Sequence, residues 1–495
     1  MGLKVFTTDF QNISNQEFFR LDFGYRHFFD KQNAVIYNFD KHTLLKYILK
    51  EIQSNKISKG ELKDEEILVD LGNIKRRYNY LINLEKVNEI GSDKNILQNG
   101  DIVIPKMQPQ MGNIFLNLKH ERYIASTELL EYTINTEYNP VFIYYLIVSK
   151  KFLTSLKKLE SGKTHRRVKS EDLLKIKIPF ISKVEQDRIV AAIEPIENRI
   201  KKLKSHIRAA HEIINEVFAK EFGFDENWIF EFGKGMTAGT QIALNRKLRV
   251  FKTDFENLAR SSTVRFSTRF HNQPMKKLMD FLDSMETLQV KDVLLAPVRR
   301  GTNPKYNPDG DVPVIKTAHL KNGYIEISQE EFVDTDFYNA TKTAQVKFGD
   351  ILIASTGKVS LGKIDLLEEE LDLVADGHIS IVRIDDKKYS RQFFIYFFRS
   401  ILGFFQIERD FTGATNQIEL YADAISNFKI PDIPLDRQEK IVDEIKAKLD
   451  KQEAMKSRIE SARNEIDKII EKAVGEENGK KYDGRQCKLS TIYIK

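Results

Sequence analysis

The sequence predicts an α+β protein: two mixed α/β domains related by internal duplication and joined by two long antiparallel coiled-coil-like helices. Three observations carry this. The segment Leu3-Lys-Val-Phe-Thr-Thr-Asp-Phe10 returns as Leu248-Arg-Val-Phe-Lys-Thr-Asp-Phe255, six of eight residues at an offset of 245 in a chain of 495. Residues 176–190 match residues 428–442 at seven of fifteen positions, each block containing Lys-Ile-Pro and closing on Ile-Val. After each such block, apolar residues recur at alternating steps of four and three, the spacing of a helix with one buried seam.

Smaller blocks keep the same order in both halves. Arg20-Leu-Asp22 with Tyr25 answers Arg265-Phe-Ser267 with Phe270, Gly100-Asp-Ile-Val-Ile104 answers Gly349-Asp-Ile-Leu-Ile353, and Gly162-Lys-Thr164 answers Gly413-Ala-Thr415. Residues 101–104, 350–353 and 379–384 read as strands, and the aromatic-rich residues 142–156, answered by 393–405, read as helix. Between these blocks the halves look unrelated, so the scaffold is duplicated while the surfaces it carries have diverged.

The long helices follow. In the first copy Ile189, Ile193, Ile196, Ile200, Leu203, Ile207, Ala210, Ile214 and Val217 form the seam; in the second, Ile441, Ile445, Met455, Ile459, Ala462, Ile466 and Ile469 do, interrupted by Lys448 and Gln452. Ser182-x-x-Glu185 and Asp436-x-x-Glu439 are cap signals. Pro195 removes a helical hydrogen bond, which predicts a kink there or an irregular lead-in to a helix starting near Glu194. Two seams of equal length can pack antiparallel on each other; each helix packing on its own domain is the alternative. From Ile189 to Val217 such a rod measures about 42 Å at 1.5 Å per residue, against about 34–36 Å for one turn of B-DNA. The expected divisions are residues 1–180, 181–221 (first helix), 222–247 (linker), 248–434, 435–474 (second helix) and 475–495 (tail).

Composition narrows the function. With 41% hydrophobic and 30% charged residues the chain can bury substantial cores. No apolar run approaches the roughly 18–20 residues that span a bilayer, and residues near the N-terminus lack a signal peptide's apolar stretch. The single Cys487 excludes an intramolecular disulfide framework and a cysteine-rich zinc site, in keeping with a cytoplasmic protein. A net charge of +6 permits nucleic acid as a partner without establishing it.

Ser161-Gly-Lys-Thr164 looks like the end of a phosphate-binding loop, but Lys157 stands where the first glycine of that motif is required. The glycine-rich residues 232–239 follow no buried strand and read as linker. No metal-ligand spacing, nucleophile elbow or adenine-methyltransferase Pro-Pro-Tyr segment appears, so no catalytic residue is assigned and no metal is expected. The stretch of residues 161–170 does carry Lys163, His165, Arg166, Arg167 and Lys169 with no acidic residue. Such a loop is either solvated or in contact with phosphates and bases. Its counterpart, Gly413-Ala-Thr-Asn-Gln417, favours contact: Asn or Gln pairs bidentately with adenine, whereas Arg suits guanine or phosphate. The candidate DNA contacts are Lys163, Thr164, His165, Arg166 and Arg167 in the first copy, and Thr415, Asn416 and Gln417 in the second. Arg300 and Lys358, on glycine-flanked loops, join them as phosphate contacts.

Two diverged domains, each followed by a Gln-(Asp/Glu)-(Arg/Lys)-Ile-Val helix start and a heptad helix, resemble the specificity subunit of type I restriction-modification systems. The likeness covers nearly the whole chain and is strongest at Val346-Lys-Phe-Gly-Asp-Ile-Leu-Ile353, Gly413-Ala-Thr-Asn-Gln417 and Ile430-Pro-Asp-Ile-Pro-Leu-Asp-Arg-Gln-Glu-Lys-Ile-Val442. The resemblance implies two target-recognition domains, each reading half of a bipartite double-stranded DNA sequence, and a helical spacer that recruits two methyltransferase subunits. It implies a non-catalytic subunit that binds no cofactor itself, S-adenosylmethionine being held by the methyltransferase partners, and cleavage where a restriction or motor subunit joins. The first copy departs from the family, with Gly162-Lys-Thr-His-Arg-Arg167 in place of a more polar, Gln-containing loop. A duplicated protein-interaction scaffold without DNA binding, and the specificity subunit of systems that cut on both sides of their site, are the alternatives.

Overall fold

The computed structural model describes residues 23–224 and 267–474, apart from residues 38, 40, 63–64, 163–165, 272, 328–330 and 415–416. The repeat segments 3–10 and 248–255, the linker beyond residue 224 and the tail 475–495 with Cys487 lie outside the described residues.

The chain folds as two units, residues 1–206 with 456–495 and residues 207–455. Each unit therefore holds the start of its own long helix and the end of the other's, the division that antiparallel packing of the two helices requires.

In the first unit an antiparallel sheet orders Leu49–Ile52, Leu129–Ile134, Ile102–Pro105 and Phe115–Leu116. The second unit repeats it with Leu294–Arg300, Ile379–Ile384, Ile351–Ala354 and Ile364–Leu366. A second sheet in each unit contains one parallel pair, Glu66–Val69 with Tyr123–Ser126 and Val312–Ile315 with Leu373–Ala375. The Lys-Ile-Pro strands pair antiparallel with the start of their own domain, Lys177–Pro179 on His42–Leu44 and Lys429–Pro431 on Thr287–Gln289. The duplication is thus topological as well as textual.

The Gly-Asp-Ile block serves the frame. Asp350 is buried and accepts two hydrogen bonds from the Arg383 guanidinium, each 2.6 Å; Asp101 accepts from the Ile134 amide at 2.7 Å. A Cβ at Gly100 would stand 2.7 Å from that of Glu131, and Gly349 has φ +82°, so neither position accepts a larger residue without strain.

Each aromatic stretch is two helices, not one: Pro140–Val148 with Lys150–Leu156, and Arg391–Arg399 with Ile401–Asp410. A buried serine sits at each break in an extended backbone conformation, and its hydroxyl donates to a carbonyl three residues back, Ser149 to Leu146 and Ser400 to Phe397. That local bond competes with helix continuation.

The long helices depart from expectation in three ways. The first is two helices, Lys183–Lys204 and Ala210–Phe222, with residues 205–209 between them. Around the break Lys201, Lys202, Lys204 and Arg208 crowd like charges, while Ser205 Oγ and His206 Nδ1 both bond the Lys202 carbonyl at 2.8 and 2.7 Å. The second helix starts afresh, its Glu212 carboxylate accepting from the Ala209 amide at 3.1 Å. Pro195 is exposed, and the helix runs through it. The helix Leu435–Val474 begins ahead of Asp436, so this carboxylate lies in the first turn, where the helix dipole favours it, and does not cap. Ser182 does cap, accepting from the Glu185 amide at 3.4 Å.

Of the seam residues, Ile189, Ile193, Ile196, Ile200, Ile214, Val217, Ile441, Ile445, Ile459, Ala462 and Ile466 are buried. Leu203 and Ile207, beside the break, Met455 and Ile469 are half-buried, and Ala210, the first residue of the restarted helix, is exposed. In the second unit Lys220 pairs with Glu444 at 3.2 Å, Lys448 with Glu216 at 2.5 Å and Arg437 with Glu221 at 2.6 Å. Numbers rise on one helix as they fall on the other, so these segments are antiparallel. In the first unit Arg463 pairs with Glu197 at 2.6 Å, and Arg199 pairs with Glu465.

The shared Gln of the helix-start motif is fully buried in both units. Gln186 Oε1 accepts from the Asn139 amide and its Nε2 donates to the Ile181 carbonyl, both at 2.8 Å. Gln438 does the same with Ser390 and Ile433, again at 2.8 Å. Asn139 and Ser390 cap the aromatic helices, so each Gln locks the start of a long helix to the start of an aromatic one.

Candidate nucleic-acid interface

In the first unit, Ser161 and Arg167 exchange two backbone hydrogen bonds of 2.8 Å and close a small loop. Gly162 takes φ +109° within it. The Val168 amide donates to the Lys106 carbonyl at 2.8 Å, which docks the loop against the strand Ile102–Pro105. Lys163, Thr164 and His165 lie outside the described residues. Arg166 is exposed and, among the described residues, holds no ion pair. Arg167 is engaged: its Nε and Nη2 each donate to a Glu128 carboxylate oxygen at 2.9 Å. Sequence reading placed Arg167 on DNA; the geometry makes it first the fastener of its own loop.

The second unit repeats the device as a hairpin, Thr412–Ala414 on Gln417–Glu419. Gly413 has φ +89°, and a Cβ there would stand 2.0 Å from the Gln417 carbonyl oxygen. Leu420 donates to the Ser355 carbonyl at 2.8 Å, the counterpart of Val168 on Lys106. Thr356 bridges Glu419 through the backbone and shares a 2.8 Å hydrogen bond with His378 Nδ1. Thr415 and Asn416 lie outside the described residues, and Gln417 is exposed. Arg300, a second expected phosphate contact, pairs with Glu419. Lys358 is half-buried on the adjoining loop and, among the described residues, holds no ion pair.

The docking bonds make Arg167 and Glu419 equivalent positions. Their charges are opposite. One fastens its loop through Glu128, the other through Arg300. Sequence reasoning missed both carboxylates, which stand far along the chain from their partners; the available signal was a basic loop with no acidic residue of its own, which requires a counter-charge from elsewhere.

Among the described residues no group of three or more His, Cys, Asp or Glu is placed to hold a metal ion. No helix among them is long and apolar enough to cross a membrane.

Fold and site define a duplicated recognition protein: two copies of one frame, each presenting a glycine-based loop of different chemistry. The chain belongs to the family described as type I restriction modification DNA specificity domain, whose model matches residues 48–210 and 283–463. It is a DNA-recognition specificity subunit and not a catalytic one, which sets aside the protein-only scaffold. No curated protein matches the chain. Among solved structures it is similar to the HsdS subunit from Thermoanaerobacter tengcongensis, at 15% identity over 88% of this chain and 98% of that one, with a TM-score of 0.32. It is also similar to the type I restriction-modification S subunit from M. genitalium, at 15% identity over 88% and 96%, TM-score 0.39. A chain from a study of complex assembly and conformational transition of the type I R-M system matches at 15% identity over 88% and 97%, TM-score 0.43.

Proposed function

We propose that the loop of residues 161–167 and the hairpin of residues 412–419 read the two halves of a bipartite duplex. The carrying observation is that equivalent loops, docked by equivalent backbone bonds, differ in tip chemistry and in the polarity of their fastening ion pair. Arg166, with Lys163, Thr164 and His165, suits guanine or phosphate; Gln417, with Thr415 and Asn416, suits adenine. Lys358 adds a phosphate contact, and Arg167 and Arg300 act chiefly by holding the loops. The long helices recruit two methyltransferase subunits, which hold S-adenosylmethionine, in the cytoplasm; where a motor or restriction subunit joins, the complex also cleaves DNA.

Mapping methylated adenines in DNA from cells carrying this chain and its methyltransferase partner tests the reading. A split target with two unlike halves is expected. One continuous short site, or a perfect palindrome, would count against two independent readers.

A further inference from the structure

The helix Lys150–Leu156 carries a different face from its counterpart Ile401–Asp410. The offset of 251 that pairs Gly162 with Gly413 and Asn139 with Ser390 sets Lys150, Lys151 and Thr154 against Ile401, Leu402 and Phe405. In the second unit those three apolar residues are buried in one core with Met275, Leu278 and Leu282 of the helix Gln273–Asp283. In the first unit the corresponding helix His27–Lys31 stops short, residues 32–37 form no helix, and Lys150, Lys151 and Thr154 are exposed. A pocket of about 350 Å³ opens beside them, lined also by Lys158, Gln32 and Glu471 over a floor that includes Phe28 and Val35. Mere shortening of a covering helix would leave apolar side chains facing water. Here lysines stand in their place, so the uncovered face is built for a polar occupant.

The occupant's charge follows from the lining. Three lysines and one glutamate line the pocket, and among the described residues none of the three lysines lies in an ion pair. Lys158 Nζ donates to Gln32 Oε1 at 3.0 Å and stands 5.2 Å over the Phe28 ring. Partial burial lowers its pKa from the ordinary lysine value. Lys151 stands 5.2 Å over Tyr37. Several point-charge donors around one concavity suit a tetrahedral polyanion, and the volume and apolar floor leave room for a ring beside it.

We propose that this pocket binds the phosphoryl group of a nucleotide unit, through Lys150, Lys151 and Lys158. The nucleotide is either part of the DNA flanking one half-site or free in solution. The basic residues Lys157, Lys163, Arg166 and Lys169 continue along the chain towards the reading loop, which favours DNA. That arm rests on the reading proposed above; phosphoryl binding itself does not. The second unit has Ile401 and Leu402 at the first two positions, so the contact belongs to one side of the target only.

The test uses the full chain, a K150Q/K151Q/K158Q variant and the corresponding Lys→Arg variant. Calorimetric titration with ADP and with pyrophosphate reads the free-nucleotide arm. Competition binding of the complex with its methyltransferase, on target duplexes lengthened one flank at a time, reads the DNA arm. In the arm that applies, the Gln variant binds at least tenfold more weakly and the Arg variant stays within about threefold of the parent. On DNA the loss appears for extensions of one flank only, the salt dependence falls by about one unit per lost phosphate contact, and discrimination between half-site variants is unchanged. Loss on DNA with no ADP binding assigns the site to the flank. Lysine-dependent ADP binding with unaltered DNA affinity assigns it to a free nucleotide. Equal binding of parent and Gln variant in both arms overturns the proposal. A separate result, unchanged discrimination in Arg166→Ala and Gln417→Ala, sinks the reading of the loops and leaves the pocket to its own test.

Discussion

Replacing Gln438 by Leu removes a buried polar lock while nearly preserving volume. The side chain is fully buried and makes two hydrogen bonds of 2.8 Å, from the Ser390 amide and to the Ile433 carbonyl. The substitution leaves two backbone groups without their partner, each costing about 1–3 kcal/mol when buried. Both bonds are only partly buried, so the lower half of that range applies, and added apolar contact offsets a little more; the expected loss is about 2–3 kcal/mol. Against a typical total of about 5–15 kcal/mol this is a large fraction. Urea unfolding of the full chain should show an earlier midpoint, and hydrogen exchange should place the loosening at residues 386–392 and 433–440. Gln186→Leu should act alike on residues 135–141 and 181–188. Gln438→Glu provides the control. It keeps the shape but turns a carboxylate towards the Ile433 carbonyl, so it should be at least as damaging at pH 7 and milder near pH 4, where the protonated acid donates again. A loss of unfolding free energy below about 0.5 kcal/mol for both Leu variants would refute the account of this motif.

Arg166→Ala should weaken discrimination at one half-site and Gln417→Ala at the other, by about 1–3 kcal/mol where the contact is bidentate; competition against half-site variants reads this, and equal effects at both halves would contradict the division. Gly413→Ala should impair only the second half-site, because its Cβ would collide with the Gln417 carbonyl oxygen, and normal discrimination by that variant would mean the hairpin need not keep its shape. Ile200→Asp should unfold or loosen the helix packing in the first unit, since Ile200 is buried, whereas Leu203→Asp should cost much less beside the helix break; proteolysis rates that rank the two the other way would refute the burial argument. Burial lowers the pKa of His211 from the ordinary histidine value. Between that lowered value and about 6.5 the unfolded chain binds the extra proton, so stability falls as pH drops through this window, and His211→Gln should flatten that part of the urea-midpoint profile.

The duplicated frame was legible in the sequence because its blocks mark places where backbone geometry dictates the residue. Gly349 needs a positive φ, Asp350 a guanidinium, Gln438 two backbone partners. The seam was legible for the same reason: period alone identifies Ile189, Ile193 and Ile200 as buried. The break at residues 205–209 was not, because Leu203 and Ile207 keep the heptad spacing while Ser205, His206 and Glu212 redirect the backbone through side-chain hydrogen bonds that carry no period. The exchange of helix ends between units, by contrast, follows from the antiparallel packing that two seams of equal length predict. At the loops, sequence identified where the chemistry changes between copies. It could not separate Arg166 from Arg167, because the difference lies in Glu128, 39 residues away along the chain.

The opposite fastenings at Arg167 and Glu419 bear on how such a protein can change its target. A loop whose fastening pair has the same polarity in both copies could be exchanged between them without loss of anchorage. Here it cannot: moving the second hairpin into the first unit would set Glu419 against Glu128, and the reverse exchange would set Arg167 against Arg300. Each like-charge contact replaces an attraction with a repulsion at partly shielded sites, and the loop would lose the anchor that aims its tip. The frame, by contrast, is held by Gln186 and Gln438 through bonds of one kind in both units. On the proposed reading, recognition chemistry can therefore diverge at the loop and its fastening pair together, while the start of each long helix stays under the same local constraint. If the loops read DNA as proposed, whole loops with their fastening partners, and not single loop residues, are the physical unit in which specificity can be exchanged.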